Sequence, residues 1–242
     1  MHALLPTLSG LTKQYKEQYR HAYEMLTAAD ALNPQKIGSL LLEEDHRAVR
    51  NRAMSAIHRE MKPRHKIGRI QKRFISSFGC KGHVLLADTV TTLCKKVYLL
   101  DNTLGLADTY LQEIAVESEK RGYFAICCAD ALYPEKLEAV LLPELSLAFM
   151  ATESEAVFEG ATTRHIRLDN MPDEQRLKSL RPQLRACTKL YRQLLDQAEL
   201  SFAQAKALHD QLEQICNPYV DFEGIYREAD AHIHMLLSES IL

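Results

Sequence analysis

A buried-looking apolar run, VYLL at 97–100, leads through DNTLGLAD (101–108) into the amphipathic stretch TYLQEIAVESEKRG (109–122). Strand, loop and helix in that order are the scaffold of a phosphate-gripping P-loop. In GxxxxGK[ST] the glycines let the backbone approach phosphate and the lysine neutralises it. The hydroxyl holds Mg²⁺, and the helix N-terminus donates N–H groups. Laid over that frame, Asp101 takes the first glycine, Leu106 the second, Ala107 the lysine and Asp108 the hydroxyl position. Asn102, Thr103, Leu104 and Gly105 fill the variable stretch, where only Gly105 brings backbone freedom, and Thr109 opens the helix. Each change works against a polyanion: a cation is gone, two carboxylates arrive, and a leucine stands where backbone should approach. Asp108 is expected to cap the helix from Thr109, taking the donors phosphate would have used. Residues 101–109 are therefore the candidate site, read as a degenerate and self-capped Walker A loop. Glu144, near a strand end, is the candidate Walker B-like acid. One carboxylate without lysine and hydroxyl ligands cannot organise Mg·ATP, so no catalytic residue is assigned.

Other chemistry-bearing residues do not assemble into a motif. Ten histidines include His232 and His234, which point different ways on a helix, and there is no HExxH or paired Cys/His cluster, so no metal site is expected. Cys80, Cys94, Cys127, Cys128, Cys187 and Cys216 are scattered with no CxxC. They read as reduced thiols of a cytoplasmic protein, Cys127 and Cys128 as small strand residues. The basic run HREMKPRHKIGRIQKR (58–73) has no interleaved aromatics for base stacking and reads as a solvated connector. Thirty basic against 32 acidic residues give a net charge of −2, which provides no field to recruit nucleic acid or membrane. No apolar run approaches the roughly 20 residues that cross a bilayer, and MHALLPTLSG lacks the pattern of a signal peptide.

The elements around the loop follow from periodicity. HVLLAD, VYLL, YFAICCA, VLL, LSLAFM and HIRL read as strands, and TVTTLCKK and PEKLEAV as short helices. Strands alternating with helices, several apolar throughout, predict a mostly parallel sheet covered on both faces. On either side lies a repeated helical element. Residues 4–32 and 180–208 align without gaps at an offset of 176, with ten of 29 positions identical, including Pro6/Pro182, Tyr15/Tyr191, Ala22/Ala198 and Ala29/Ala205. Random pairing gives roughly two. Leu184, Cys187, Tyr191, Leu194, Ala198, Ser201, Ala205, Leu208, Leu212 and Ile215 alternate spacings of three and four, a heptad seam. Both copies meet a helix stop, Asn33-Pro34 and Asn217-Pro218, before another helical stretch, which predicts an antiparallel hairpin in each place. The expected domains are a hairpin and basic linker at 1–69, a P-loop-like α/β domain at 70–170 and a C-terminal hairpin at 171–242.

In KRFISSFGCKGHVLLADTV (72–90), KKVYLLDNTLGLADTYLQEIA (95–115), RGYFAICCADALYPEKLEAVLLPELSLAFM (121–150) and AQAKALHDQLEQI (203–215) the chain resembles bacterial putative ATPases built from two tandem P-loop halves. Each half in that family carries a Walker A loop and ends in a helical hairpin. The resemblance covers about residues 70–240 as a second half, with the first 60 matching the tail of a preceding half. It implies a P-loop NTPase-like fold with long antiparallel hairpins at both ends. The chain departs from the family at the Walker A residues. It departs again at Ala151-Thr152-Glu153-Ser154-Glu155-Ala156, where the family has an Asp-Gly-Thr run. The expectation is a pseudoenzyme without cofactor that contacts a protein partner or a second copy through its helical seams. The alternative is an ATPase or nucleotide kinase, with ATP and Mg²⁺, using an atypical loop or a separate active subunit.

Overall fold

The computed structural model of the chain describes residues 4–36, 41–152 and 163–239. Glu153 and Glu155 lie outside the described residues. The strands in chain order are β1 (Arg69–Arg73), β2 (Ser76–Gly79), β3 (Gly82–Leu85), β4 (Lys96–Asp101), β5 (Phe124–Ala129), β6 (Leu137–Leu142), β7 (Leu147–Thr152) and β8 (Arg164–Ile166). The α-helices are α1 (Leu5–Ala31), α2 (Glu43–Glu60), α3 (Ala87–Leu93), α4 (Leu106–Lys120), α5 (Glu174–Cys216) and α6 (Phe222–Glu239). Contacts divide the chain into two units, residues 21–203 and residues 4–20 with 204–239. No helix among the described residues is long and apolar enough to cross a membrane.

In the unit 21–203, six strands form one sheet in the order β1-β5-β6-β7-β4-β8, with β2 and β3 as a separate antiparallel pair. The pairings β1–β5, β4–β7 and β4–β8 are parallel and β6 is antiparallel to both neighbours, so β6 alone is reversed. Both faces of the sheet are covered, as the continuous apolar strands require. On one face α2 and α4 lie over Leu100, Val140 and Phe149, contributing Val49, Ala53 and Ile57 from α2 and Tyr110, Leu111 and Ile114 from α4. On the other, Ile75, Val90 and Cys94 cover Val97, Cys128, Leu141 and Ala148. The fold is thus mixed α/β, a mostly parallel sheet flanked by helices.

Three expectations change. PEKLEAV is not a helix: from Leu137 it is the antiparallel strand β6, entered through a turn in which Asp130 Oδ1 accepts the N–H groups of Leu132 and Tyr133 at 2.8 and 2.9 Å. Ala139, Val140, Leu141 and Leu142 are all buried on two faces, a demand that a short surface helix does not make. The basic run 58–73 is not a connector throughout, because Arg69–Arg73 is the edge strand β1. Its charges suit an edge, where they discourage pairing with foreign strands. The helix that follows Asn33-Pro34 does not return along α1. After a 3-10 turn at 34–36, α2 packs on the core beside α4, with Val49, Ala53, Ile57 and the following Met61 at 0% exposure. Burying the three larger side chains is worth roughly 5–9 kcal/mol together. That fixes a helix which alone would be marginal in water.

The repeated seam closes within this unit. Ala29 of α1 packs with Tyr191 and Leu195 of α5, with Leu26 and Leu194 at the edge. His21 Nδ1 lies 3.0 Å from Ser201 Oγ, and Tyr23 meets the Phe202 ring edge-on at 5.7 Å. Ala22, Ala29 and Ala198 are at most 1% exposed, as expected of small residues that admit a close helix. In the unit formed by 4–20 and 204–239, the Tyr15 ring stands edge-on to His209 at 5.6 Å. A 3-10 turn at Asn217–Tyr219 separates α5 from α6.

Candidate functional site

The loop after β4 stands at the C-terminal edge of the sheet, between β7 and β8, where parallel sheets place their ligands. It is shorter than the sequence implies, because α4 begins at Leu106 and only 102–105 connect strand to helix. Gly105 precedes α4 with φ at +72°, a left-handed conformation that glycine adopts freely. A Cβ there would stand 3.0 Å from both Cβ and the backbone O of Gln35, so the segment after Pro34 covers the crest of the loop.

The N–H groups that would face a phosphate have acceptors from this chain. Asp169, three residues past β8, takes the N–H of Thr103 on Oδ2 and that of Leu104 on Oδ1, both at 3.1 Å. Asn102 Oδ1 accepts the N–H of Ala107 at 3.1 Å and so caps the first turn of α4. Asp108 is not the cap expected of it. It lies inside the first turn and accepts the backbone N–H of Leu137 at 2.9 Å and the Gln112 amide at 3.2 Å, tying α4 to the start of β6. Thr109 Oγ1 lies 3.1 Å from His46 Nδ1 of α2. Burial raises the pKa of Asp169 above the usual aspartate range and nearby Asp101 adds to this, while hydrogen bonds from Thr103 and Leu104 pull it down. Asp101 itself is 2.5 Å from His165 Nε2 across the β4–β8 edge.

The positions that should carry a cation face inward. Leu106 and Ala107 are 0% exposed in the core, and Leu104 is 4% exposed. A lysine in place of Ala107 would be desolvated among Tyr110, Leu100 and Phe149. Glu144 does not join the loop. β4 and β7 run in register from Lys96 beside Leu147 to Asp101 beside Thr152, so the turn Pro143–Leu145 is at the opposite end of the sheet. Five residues of strand separate the two ends by about 17 Å. There Glu144 pairs with Arg64 at 2.5 Å, and the Arg64 guanidinium lies 3.9 Å from the centre of the Tyr123 ring. Two open clefts of about 410 and 360 Å³ have Leu195 in common, and no residue of 101–109 lines either.

Sequence reasoning missed two polar groups. Asp169 follows a short strand and is distant in sequence from the loop it fills; the acid directly after Arg167-Leu168, in HIRLD, is the only local sign. Glu138 is aimed by a bulge. Cys128 pairs with Ala139 and Ala129 with Leu137, so Glu138 is the extra residue and turns toward Ser76. Ser76 Oγ lies 2.8 and 2.7 Å from its two carboxylate oxygens. Burial pushes the Glu138 pKa up to about 7, against the opposing pull of Ser76. His209, Asp210 and Glu213 bring three possible ligand atoms within 4.8 Å of one another on α5. His209 Nδ1 lies 3.2 Å from Glu213 Oε1, and Asp210 pairs with Lys206 at 2.5 Å, so these groups already have partners one turn away on the same helix.

Comparison of the chain with protein-family models, curated proteins and solved structures finds no match.

Proposed function

We propose that the chain is a non-catalytic, P-loop-like α/β protein that works by contact with another protein and does not turn over nucleotide. The observation that carries this reading is the carboxylate of Asp169 on the N–H groups of Thr103 and Leu104. In a working loop those donors are kept for phosphate. Here an internal anion takes two of them, Asn102 takes another, and the cation position is a buried alanine. The strand–loop–helix order and the placement of the loop at the sheet edge support descent from a nucleotide-binding frame, in keeping with the resemblance to tandem P-loop ATPases. The missing lysine and hydroxyl argue against retained hydrolysis.

The test is thermal unfolding of the purified protein with a panel of nucleoside triphosphates and diphosphates plus Mg²⁺. A ligand at 100 times its Kd stabilises the native state by about 2.7 kcal/mol, which is several degrees for a chain of this size. The reading predicts no shift with any nucleotide. A rise of several degrees that depends on Mg²⁺ refutes it.

A further inference from the structure

Beyond the Asn-Pro stops, which themselves lie 184 residues apart, a second stretch aligns at the offset of 176 that relates α1 to α5. Between 45–61 and 221–237 the identities are Asp45/Asp221, Ala53/Ala229, Ile57/Ile233 and His58/His234, four of 17 positions. Chance gives about one. The fully buried positions Val49, Ala53, Ile57 and Met61 correspond to Ile225, Ala229, Ile233 and Leu237. In the second copy this stripe lies open: Ile225, Ile233 and Leu237 are 53%, 52% and 58% exposed. The anchoring acid is duplicated as well. Asp45 receives Arg176 at 2.7 Å, whereas Asp221 is exposed and accepts the Gly224 N–H at 2.9 Å.

We infer that α6 is a docking arm for a second α/β body, one not contained in this sequence, whose surface helix presents the kind of face that α4 presents to α2. This deepens the contact function proposed above and rests on it. The first arm shows what covers such a stripe. α2 runs parallel to α4, with His46 beside Thr109 at one end and Met61 Sδ 3.5 Å from Ser118 Oγ at the other. The face it meets is made of Leu111, Ile114, Ala115 and Ser118, branched and small side chains that let a helix approach. A second copy of this chain is a poor occupant, because its α4 already carries its own α2. The described residues contain two such arms and one such body.

The partner's chemistry follows from the equivalences. It offers an amphipathic helix on a sheet, with an arginine able to reach Asp221 as Arg176 reaches Asp45. Its rim is more basic than that around α4, since Arg47 and Arg52 of α2 correspond to Glu223 and Glu228 of α6. The rim makes the association weaken with added salt.

The direct test replaces Tyr226, exposed at the edge of the stripe, with photoreactive p-benzoylphenylalanine in the full chain expressed in its native cells. Cross-linked sites are then mapped by mass spectrometry. The expected link is to a surface helix of another α/β body, lost in the Ile225→Asp, Ile233→Asp background. Links only to this chain, to lipid or to a protein without such a helix overturn the inference, as does the absence of any link. A second measurement uses the purified protein. Ile225→Asp with Ile233→Asp is expected to leave Tm within about 3 °C of the parent, because the stripe is uncovered in the isolated chain. A larger fall, or a parent dimer in sedimentation that this pair of changes abolishes, assigns the stripe to this chain or its copy and overturns the inference. Nucleotide binding, which would sink the function proposed above, moves neither readout.

Discussion

Replacing Glu138 with Gln should make the protein more stable at alkaline pH and leave it almost unchanged in mild acid. The carboxyl sits on a β-bulge under the Ser76 hydroxyl, and burial raises its pKa from 4.5 to about 7. Between those values the folded state keeps a proton that the unfolded state gives up. The stability that goes with the protonated form is therefore complete below about pH 4.5 and is lost as pH climbs through 7, after which the penalty is constant. At 1.36 kcal/mol per pH unit the gap is worth about 3 kcal/mol, and nearer 2 once solvent reaching part of the side chain is allowed for. Glutamine has the same shape, can still accept from Ser76 and cannot ionise. Urea unfolding of both proteins at pH 5, 6, 7 and 8 is the assay. The difference should grow from about 0.5 kcal/mol at pH 5 to about 2 kcal/mol at pH 8 in favour of Glu138→Gln, most of the rise lying between pH 5 and 7. A difference that stays flat over this range, or turns against the variant as pH rises, refutes the burial argument.

Asp169→Ala removes the acceptor of two backbone N–H groups and should cost about 2 kcal/mol, the burial cost of the carboxylate offsetting part of the lost bonds. Inorganic phosphate should restore part of that stability in the variant and none in the parent, read by Tm. Gly105→Ala forces a side chain into a left-handed conformation against the Gln35 backbone and should cost about 2 kcal/mol in denaturant unfolding. A neutral Gly105→Ala would mean that the loop rearranges freely. Tyr191→Asp should lower Tm by more than about 5 °C without changing the sedimentation of a monomer, because Tyr191 is covered by Ala29 and Leu26 of its own chain.

The sequence carried much of the frame. Runs such as VYLL and YFAICCA are apolar at every position, which only a strand buried on two faces requires, and they became β4 and β5. The seam of α5 was legible because a spacing of three and four survives over many turns. β1 was illegible because edge strands are often charged, and RIQKR looks like a connector. Only the start of β6 was misread: VLL is its second half and was read as a strand, whereas Leu137-Glu138-Ala139 follows Pro134-Glu135-Lys136, and a bulge that turns a glutamate inward leaves no local pattern. The loop's chemistry was half visible. The lost lysine can be read directly, but the acid that fills the gap is 65 or more residues away in sequence, and local pattern cannot report such a contact.

The central claim, that the loop after β4 is closed by carboxylate and amide side chains of this chain and holds no nucleotide, is tested most directly by titrating Mg·ATP into the purified protein in a calorimeter. The account predicts no measurable binding, with any Kd weaker than about 1 mM. A saturable isotherm in the micromolar range that disappears on removing Mg²⁺ would contradict it.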